Sequence, residues 1–296
     1  MELGYDRLLY ILPFDYRSSF AKGLFGFSPP LTAEQMATVA ASKQVVYDGF
    51  KLALSKGVPR EAAGILVDEQ FGAAILHDAR AQGFITCAPA EKSGQEEFAV
   101  EYGDRWQDHI AAFAPTFVKV LVLYDPESDE ATNRRQAALK ELSYYCHRNG
   151  YRLLFELLVL TTHERSDRPE GEQRLCDHDL RPSLMIGAIK ELQQAGVEPD
   201  VWKVEGPDRS GDCEALIRTG RRDGPSSEGR IVLGRGSDET GILAWLRVAA
   251  SGFAVGRTSF WDALVGLRSL AHDAAVAQIA DRHAKWIGTF SLARAS

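Results

Sequence analysis

Cysteine is scarce and carries no metal pattern. The four cysteines, Cys87, Cys146, Cys176 and Cys213, include no Cys-x-x-Cys pair, and no histidine stands at zinc-site spacing, which argues against a zinc finger or a redox dithiol. They read as reduced thiols of a cytoplasmic protein. Long apolar runs are missing too. No stretch reaches about 18 apolar residues, and Met1-Glu2-Leu3-Gly4 opens no basic segment followed by an apolar one, so neither a membrane span nor a leader is expected. Positive charge is in deficit: the formal net charge of -7 makes nucleic acid and anionic membranes poor partners. No Gly-x-Gly-x-x-Gly follows the first apolar run, which counts against a dinucleotide fold. Linkers, internal repeats and low-complexity tracts are absent, and the polar turn Arg221 to Gly229 is too short to divide domains. The histidines (His77, His109, His147, His163, His178, His272, His283) are scattered over helical or loop stretches and are expected at the surface. No metal and no cofactor is implied.

What the chain has is alternation. Its 296 residues, 45% hydrophobic, suffice for one barrel-sized domain or two smaller ones. Short β-rich runs, Leu8 to Phe14, Gly64 to Val67, Phe84 to Ala88, Phe117 to Leu123, Arg152 to Leu158, Val201 to Glu205, Ile231 to Leu233 and Gly252 to Val255, are each followed by a stretch of helical period. The helices are predicted near Thr32 to Ser55, Ala73 to Gln82, Arg105 to Phe113, Glu130 to Arg148, Arg181 to Ala195, Cys213 to Arg218, Glu239 to Ala249, and from Trp261 to the end, with a polar excursion at Thr161 to Asp179. Gly57, Gly83, Gly150 and Gly196 stand where C-terminal caps belong, and Thr32 where an N-cap belongs. Eight alternations in this length match a single (β/α)8 barrel, an α/β fold spanning 1–296, with a doubly wound open sheet as the competitor.

In a barrel, chemistry gathers at the C-terminal strand ends. Lys203 lies mid-run in Asp200-Val201-Trp202-Lys203-Val204-Glu205-Gly206. Alternation puts Val201, Lys203 and Glu205 on one face. If that face is enclosed, burial disfavours the ammonium, and a neutral amine can attack a carbonyl to form a Schiff base. Lys119 and Glu156 are single charges in the apolar runs of the two preceding strands, so Lys119, Glu156 and Lys203 can form one cluster. An ion network that only holds the strands together and a catalytic site are equally open readings at this point. The seventh and eighth strands end in Gly234-Arg235-Gly236 and Gly256-Arg257, where backbone amides and arginines can hold a phosphate.

The ordered motifs Leu12-Pro13-Phe14-Asp15, Asp68-Glu69-Gln70-Phe71-Gly72, Glu91-Lys92-Ser93-Gly94-Gln95, Phe117-Val118-Lys119-Val120-Leu121, Phe155-Glu156-Leu157-Leu158, the Lys203 run, Ile231-Val232-Leu233-Gly234-Arg235-Gly236 and Gly256-Arg257-Thr258-Ser259-Phe260-Trp261 resemble the aldolase-like domain fused behind a sugar kinase in bacterial myo-inositol catabolism. That domain is assigned to 2-deoxy-5-keto-gluconate 6-phosphate aldolase; the chain is more distantly similar to class I tagatose-bisphosphate aldolases. The resemblance implies a metal-independent Schiff-base aldolase, a carbon-carbon lyase, with a small phosphorylated sugar-acid substrate. It implies Lys203 as nucleophile, Glu156 as acid/base, Lys119 as the cation beside the substrate hydroxyls and Asp15 as the carboxylate at the cleaved bond. Gly234, Arg235, Gly236, Gly256 and Arg257 match the phosphate end, and Arg17, Lys92 and Glu205 are further candidates for substrate contact. Tyr16 and Ser18 depart from the Asp-His-Arg-Gly-Ser expected at the first strand, and a separate kinase, rather than a fused one, is expected to supply the substrate. Another phosphosugar (a tagatose bisphosphate or a sulfo-sugar phosphate) and a non-catalytic sugar-phosphate sensor are the alternatives. Barrel aldolases often assemble, so a homo-oligomer is expected.

Overall fold

The computed structural model describes residues 4–94, 97–124, 129–159, 180–205, 209–220, 229–233, 239–247, 249, 251–267 and 271–295. The Thr161 to Asp179 excursion, the Arg221 to Gly229 turn except its last residue, Gly234-Arg235-Gly236, Gly206, Gln95, His163, His178 and Cys176 lie outside the described residues.

Eight parallel strands close into a barrel in sequence order: β1 (Leu9–Pro13), β2 (Ala63–Leu66), β3 (Ile85–Pro89), β4 (Phe117–Tyr124), β5 (Arg152–Val159), β6 (Val201–Glu205), β7 (Gly229–Leu233) and β8 (Gly252–Ala254). Leu9, Tyr10 and Ile11 pair with Gly252, Phe253 and Ala254, so the last strand returns to the first and the open sheet is ruled out. The described helices are α1 (Ser18–Phe25), α2 (Ala33–Ser55), α3 (Glu69–Ala81), α4 (Trp106–Phe113), α5 (Asp129–Arg148), α6 (Arg181–Gln194), α7 (Ser210–Gly220), α8 (Glu239–Leu246), α9 (Arg257–Gly266) and α10 (His272–Ala295). Among the described residues no helix is long and apolar enough to cross a membrane.

Closure depends on Gly252. Its φ is +151°, and a Cβ there would lie 1.9 Å from the Leu9 carbonyl oxygen, so only glycine lets β8 approach β1. Inside the ring, Leu9, Ile11, Leu66, Cys87, Phe117, Leu154, Val201 and Ala254 form an apolar plug. Side chains alternate along each strand, so the next inward positions after Phe117, Leu154 and Val201 are Lys119, Glu156 and Lys203. The plug is the floor on which the polar cluster stands.

Several expectations are sharpened. Thr32 caps α2 through a capping box: its side chain accepts from the Gln35 amide at 3.2 Å, and Gln35 returns a contact to the Thr32 amide at 2.9 Å. Gly57, Gly83, Gly150 and Gly196 all have positive φ, as the cap reading requires. Helix α3 starts at Glu69, not near Ala73, because Asp68 accepts from the Phe71 amide at 3.0 Å and starts the helix ahead of Gly72. Gly72 is a kink within that helix; a Cβ there would lie 2.3 Å from Val67 Cγ2. Helix α1 is an addition: it buries Phe20, Ala21 and Leu24 on one face, but at 8 residues it is too short for that period to stand out in the sequence. The helical pattern from Trp261 onward is two helices, α9 beginning at Arg257 directly after Gly256 and ending at Gly266.

His283 corrects the surface reading of the histidines. It is fully buried between α10 and the barrel, beside the rings of Phe50 and Phe253. Neither ring nitrogen has a hydrogen-bond partner among the described residues. Burial pulls its pKa down to about 4.

Candidate active site

Five titratable side chains meet at the C-terminal mouth. The register pairs Glu156 with Lys203 across β5 and β6, and Lys203 Nζ lies 2.5 Å from Glu156 Oε1. The other Glu156 oxygen lies 3.0 Å from Lys119 Nζ. Lys119 also reaches Asp15, just past β1, at 3.0 Å and Glu91, just past β3, at 2.6 Å. The predicted trio of Lys119, Glu156 and Lys203 is therefore one cluster, with Asp15 in it. Lys203, Glu91 and Lys119 are buried, at 5%, 5% and 3% exposure, deep enough for each charge to need its partners.

The charges are not equivalent. Burial opposes the Lys119 ammonium, but the Asp15, Glu156 and Glu91 carboxylates outweigh it and raise its pKa well above the lysine range. Burial likewise opposes ionisation of Asp15 and Glu156, yet Lys119 and Lys203 hold both below the usual carboxylate range. For Glu91 burial wins: Lys119 offsets it only partly, and the carboxyl is pushed up. Environments that drive carboxyls apart in one cluster separate bases from acids.

The cluster opens on a cleft of about 270 Å³ lined by Asp15, Tyr16, Arg17, Glu91, Lys92, Lys119, Glu156 and Lys203 among others. Of the remaining candidates, Lys92 is exposed at the rim. Arg17 lines the cleft with its guanidinium engaged: one nitrogen lies 2.6 Å from Glu101 Oε2, the other donates to the Glu91 carbonyl at 2.6 Å. It fastens the end of β1 to the segment after β3. Glu205 is held away from the cleft by Arg181 at 3.0 Å, which also donates to the Val159 carbonyl. Gly256 packs against strand one: a Cβ there would lie 2.7 Å from the Pro13 carbonyl and 2.9 Å from the Tyr16 hydroxyl. Arg257 is exposed and lies over the Tyr16 ring at 4.7 Å, so Tyr16, the departure noted at the first strand, has a partner at the eighth. Gly234, Arg235 and Gly236 are outside the described residues.

Sequence reasoning missed Glu91 as a member of the cluster. It follows Pro89-Ala90 beyond the apolar run, where nothing in the pattern tells an inward carboxylate from a loop one. It also missed Lys43, which is wholly buried on α2 and ion-paired to Asp68 behind the site. Among the described residues no group of three or more His, Cys, Asp and Glu is disposed to hold a metal ion; Lys119 occupies the space between the carboxylates.

A family model described as "Uncharacterized protein conserved in bacteria (DUF2090)" matches residues 5–294. No curated protein is significantly similar in sequence. Among solved structures, Cgl0159 of Corynebacterium glutamicum superposes with a TM-score of 0.58 at 16% identity, covering 98% of this chain and 88% of that one. The YdjI aldolase of Escherichia coli K12 superposes with a TM-score of 0.50 at 11% identity, covering 96% of this chain and 92% of that one. At these identities the likeness is one of fold.

Proposed function

Taking as premise that the chain belongs to the DUF2090 family, we propose that it is a class I aldolase that cleaves a phosphorylated keto-sugar acid through a Schiff base on Lys203. The observation that carries the reading is a lysine amine inside the barrel mouth, 2.5 Å from a carboxylate, opening on a cleft. The motif resemblance at Asp15, Lys119, Glu156 and Lys203 narrows the substrate to 2-deoxy-5-keto-gluconate 6-phosphate, with dihydroxyacetone phosphate and malonate semialdehyde as products.

The chemistry assigns each group a role. Glu156 takes a proton from Lys203, and the neutral amine adds to the C5 ketone. Loss of water gives the protonated imine, which withdraws electrons from C4. Asp15, held ionised by Lys119, removes the C3 hydroxyl proton; the C3–C4 bond breaks and the aldehyde leaves. The enamine takes a proton at C4, and water releases dihydroxyacetone phosphate and the lysine. Lys119 fixes the carboxylates and meets substrate oxygens. Gly234, Arg235, Gly236, Gly256 and Arg257 are the proposed phosphate end, where binding energy remote from the reacting carbons positions them.

Borohydride reduction in the presence of dihydroxyacetone phosphate tests this. An adduct of the reduced triose phosphate on the peptide bearing Lys203, and none on Lys203→Met, is expected. Turnover of the keto-sugar phosphate without any trappable adduct would remove the Schiff base.

A further inference from the structure

The arithmetic of the cluster singles out Glu91. Asp15, Glu91 and Glu156 all contact the one ammonium of Lys119. With both lysines charged the site holds three anions against two cations, and passing the Lys203 proton to Glu156 leaves two anions against one, so one negative charge is in excess either way. Burying that excess charge is costly, and a group so placed takes up a proton instead. Glu156 is held by both lysines, and Asp15 feels both. Glu91 contacts Lys119 through Oε1 alone; its Oε2 is buried and has no hydrogen-bond partner among the described residues. Glu91 is thus the carboxyl that is cheapest to protonate. A protonated Oε2 is a donor beside Lys119 with no acceptor of its own, on a side chain that lines the cleft; the oxygen lies beneath the surface, so a turn of the carboxyl is needed for it to meet a ligand.

We propose that Glu91 is the neutral carboxyl of this site: it keeps its proton, and Oε2–H donates a hydrogen bond to the substrate oxygen beside Lys119, making Glu91 a specificity-determining residue. The inference rests on the aldolase reading above for the identity of that oxygen, a hydroxyl of the keto-sugar. The charged groups that face Glu91 are Lys119 from β4 and Asp15 and Arg17 from the end of β1. Arg17 is itself neutralised by Glu101, so burial dominates and the carboxyl is pushed up. A neutral donor here also keeps a third anion out of the path of an anionic substrate.

The test has two arms. Carboxyl-13C-glutamate labelling, with the Glu91 signal identified by its loss in Glu91→Gln, reports the titration of this group without any ligand. A carboxyl still protonated at about pH 7, well above the ordinary glutamate value of about 4.3, is expected; one ionised by then overturns the proposal. Calorimetric affinity for dihydroxyacetone phosphate, measured across neutral and alkaline pH, is the second arm. Loss of the Glu91 proton replaces a donor with an anion, so wild-type affinity should fall up to about tenfold per pH unit above that titration. Glu91→Gln carries an amide donor and no proton to lose, so its curve should lack the fall and cross above the wild type at alkaline pH; Glu91→Ala should bind more than about tenfold more weakly throughout. Parallel wild-type and Gln curves overturn the donor role while borohydride trapping on Lys203 still stands. Triose phosphate that binds but never traps removes the Schiff base and leaves the Glu91 titration to be judged by itself. Triose phosphate that does not bind at any pH removes both.

Discussion

Lys119→Met is the sharpest test of the charge arrangement, because it removes the one cation shared by three carboxylates and keeps the bulk of the stem. In the wild type Lys119 lies 2.6 Å from Glu91 and 3.0 Å from both Asp15 and Glu156. Glu156 keeps Lys203 after the substitution; Asp15 loses its direct ion pair, and Glu91 loses the ammonium that donates to its Oε1. Breaking a buried pair from one side costs about 3–5 kcal/mol, a large part of the roughly 5–15 kcal/mol that holds a protein folded.

The cost has a pH signature. In the wild type Asp15 and Glu156 sit below their unfolded values, so they add stability above the unfolded pKa of about 4, and that stability is lost as pH falls through the folded values. Without Lys119, burial lifts Asp15 above its unfolded value and pushes the already raised Glu91 higher still, and each costs up to about 1.4 kcal/mol per pH unit as pH rises from about 4 toward its folded value. The two curves therefore diverge with rising pH. Urea unfolding followed by the fluorescence of buried Trp202 and Trp286 should give a gap of about 3–5 kcal/mol at about pH 8 that shrinks by more than half at about pH 5. A gap under about 1 kcal/mol, or the same gap at both pH values, would refute the shared-cation account.

Two further outcomes follow from the fold. His283 has a folded pKa of about 4 against an ordinary 6.5, so the native state binds fewer protons than the unfolded chain; its contribution is intact above 6.5 and is lost as pH falls toward 4. His283→Leu should then lose about 3 kcal/mol less stability than the wild type on acidification across that window, read by urea midpoints at each pH; equal acid sensitivity would contradict the burial. Gly252→Ala forces a Cβ to 1.9 Å from the Leu9 carbonyl, so β8 must leave β1; we expect a loss of about 4 kcal/mol or more, seen as a lower thermal midpoint or insoluble protein, and a soluble variant with an unchanged midpoint would refute the close approach.

The strand count and the inward faces were legible because both are periodic. Lys119, Glu156 and Lys203 each interrupt an apolar run, and the two-residue repeat puts them on the wall that also carries Phe117, Leu154 and Val201. Parallel order in an eightfold alternation then makes β4, β5 and β6 neighbours, so the cluster follows before any distance is known. Helix ends were less legible where one side chain decides them, as Asp68 does by starting α3 ahead of Gly72, a glycine that reads as a break and is a close packing point against Val67.

Partnerships that cross the barrel have no such period. Arg17 reads as a free cation at a strand end, yet its guanidinium is spent on Glu101 and on the Glu91 carbonyl, 84 and 74 residues away. Glu205 shares a face with Lys203 but turns to Arg181 from the preceding helix. Glu91 is the instructive case. Composition gives three acids near the mouth no distinguishing mark, and all three end on the same ammonium. Only their remaining contacts separate them: Glu156 has a second lysine, Asp15 feels that same lysine's field, and Glu91 has a buried oxygen with no partner. Two lowered carboxyls and one raised are thus made from the same functional group by the cations each can reach, a quantity set by tertiary packing that no local pattern in the chain encodes.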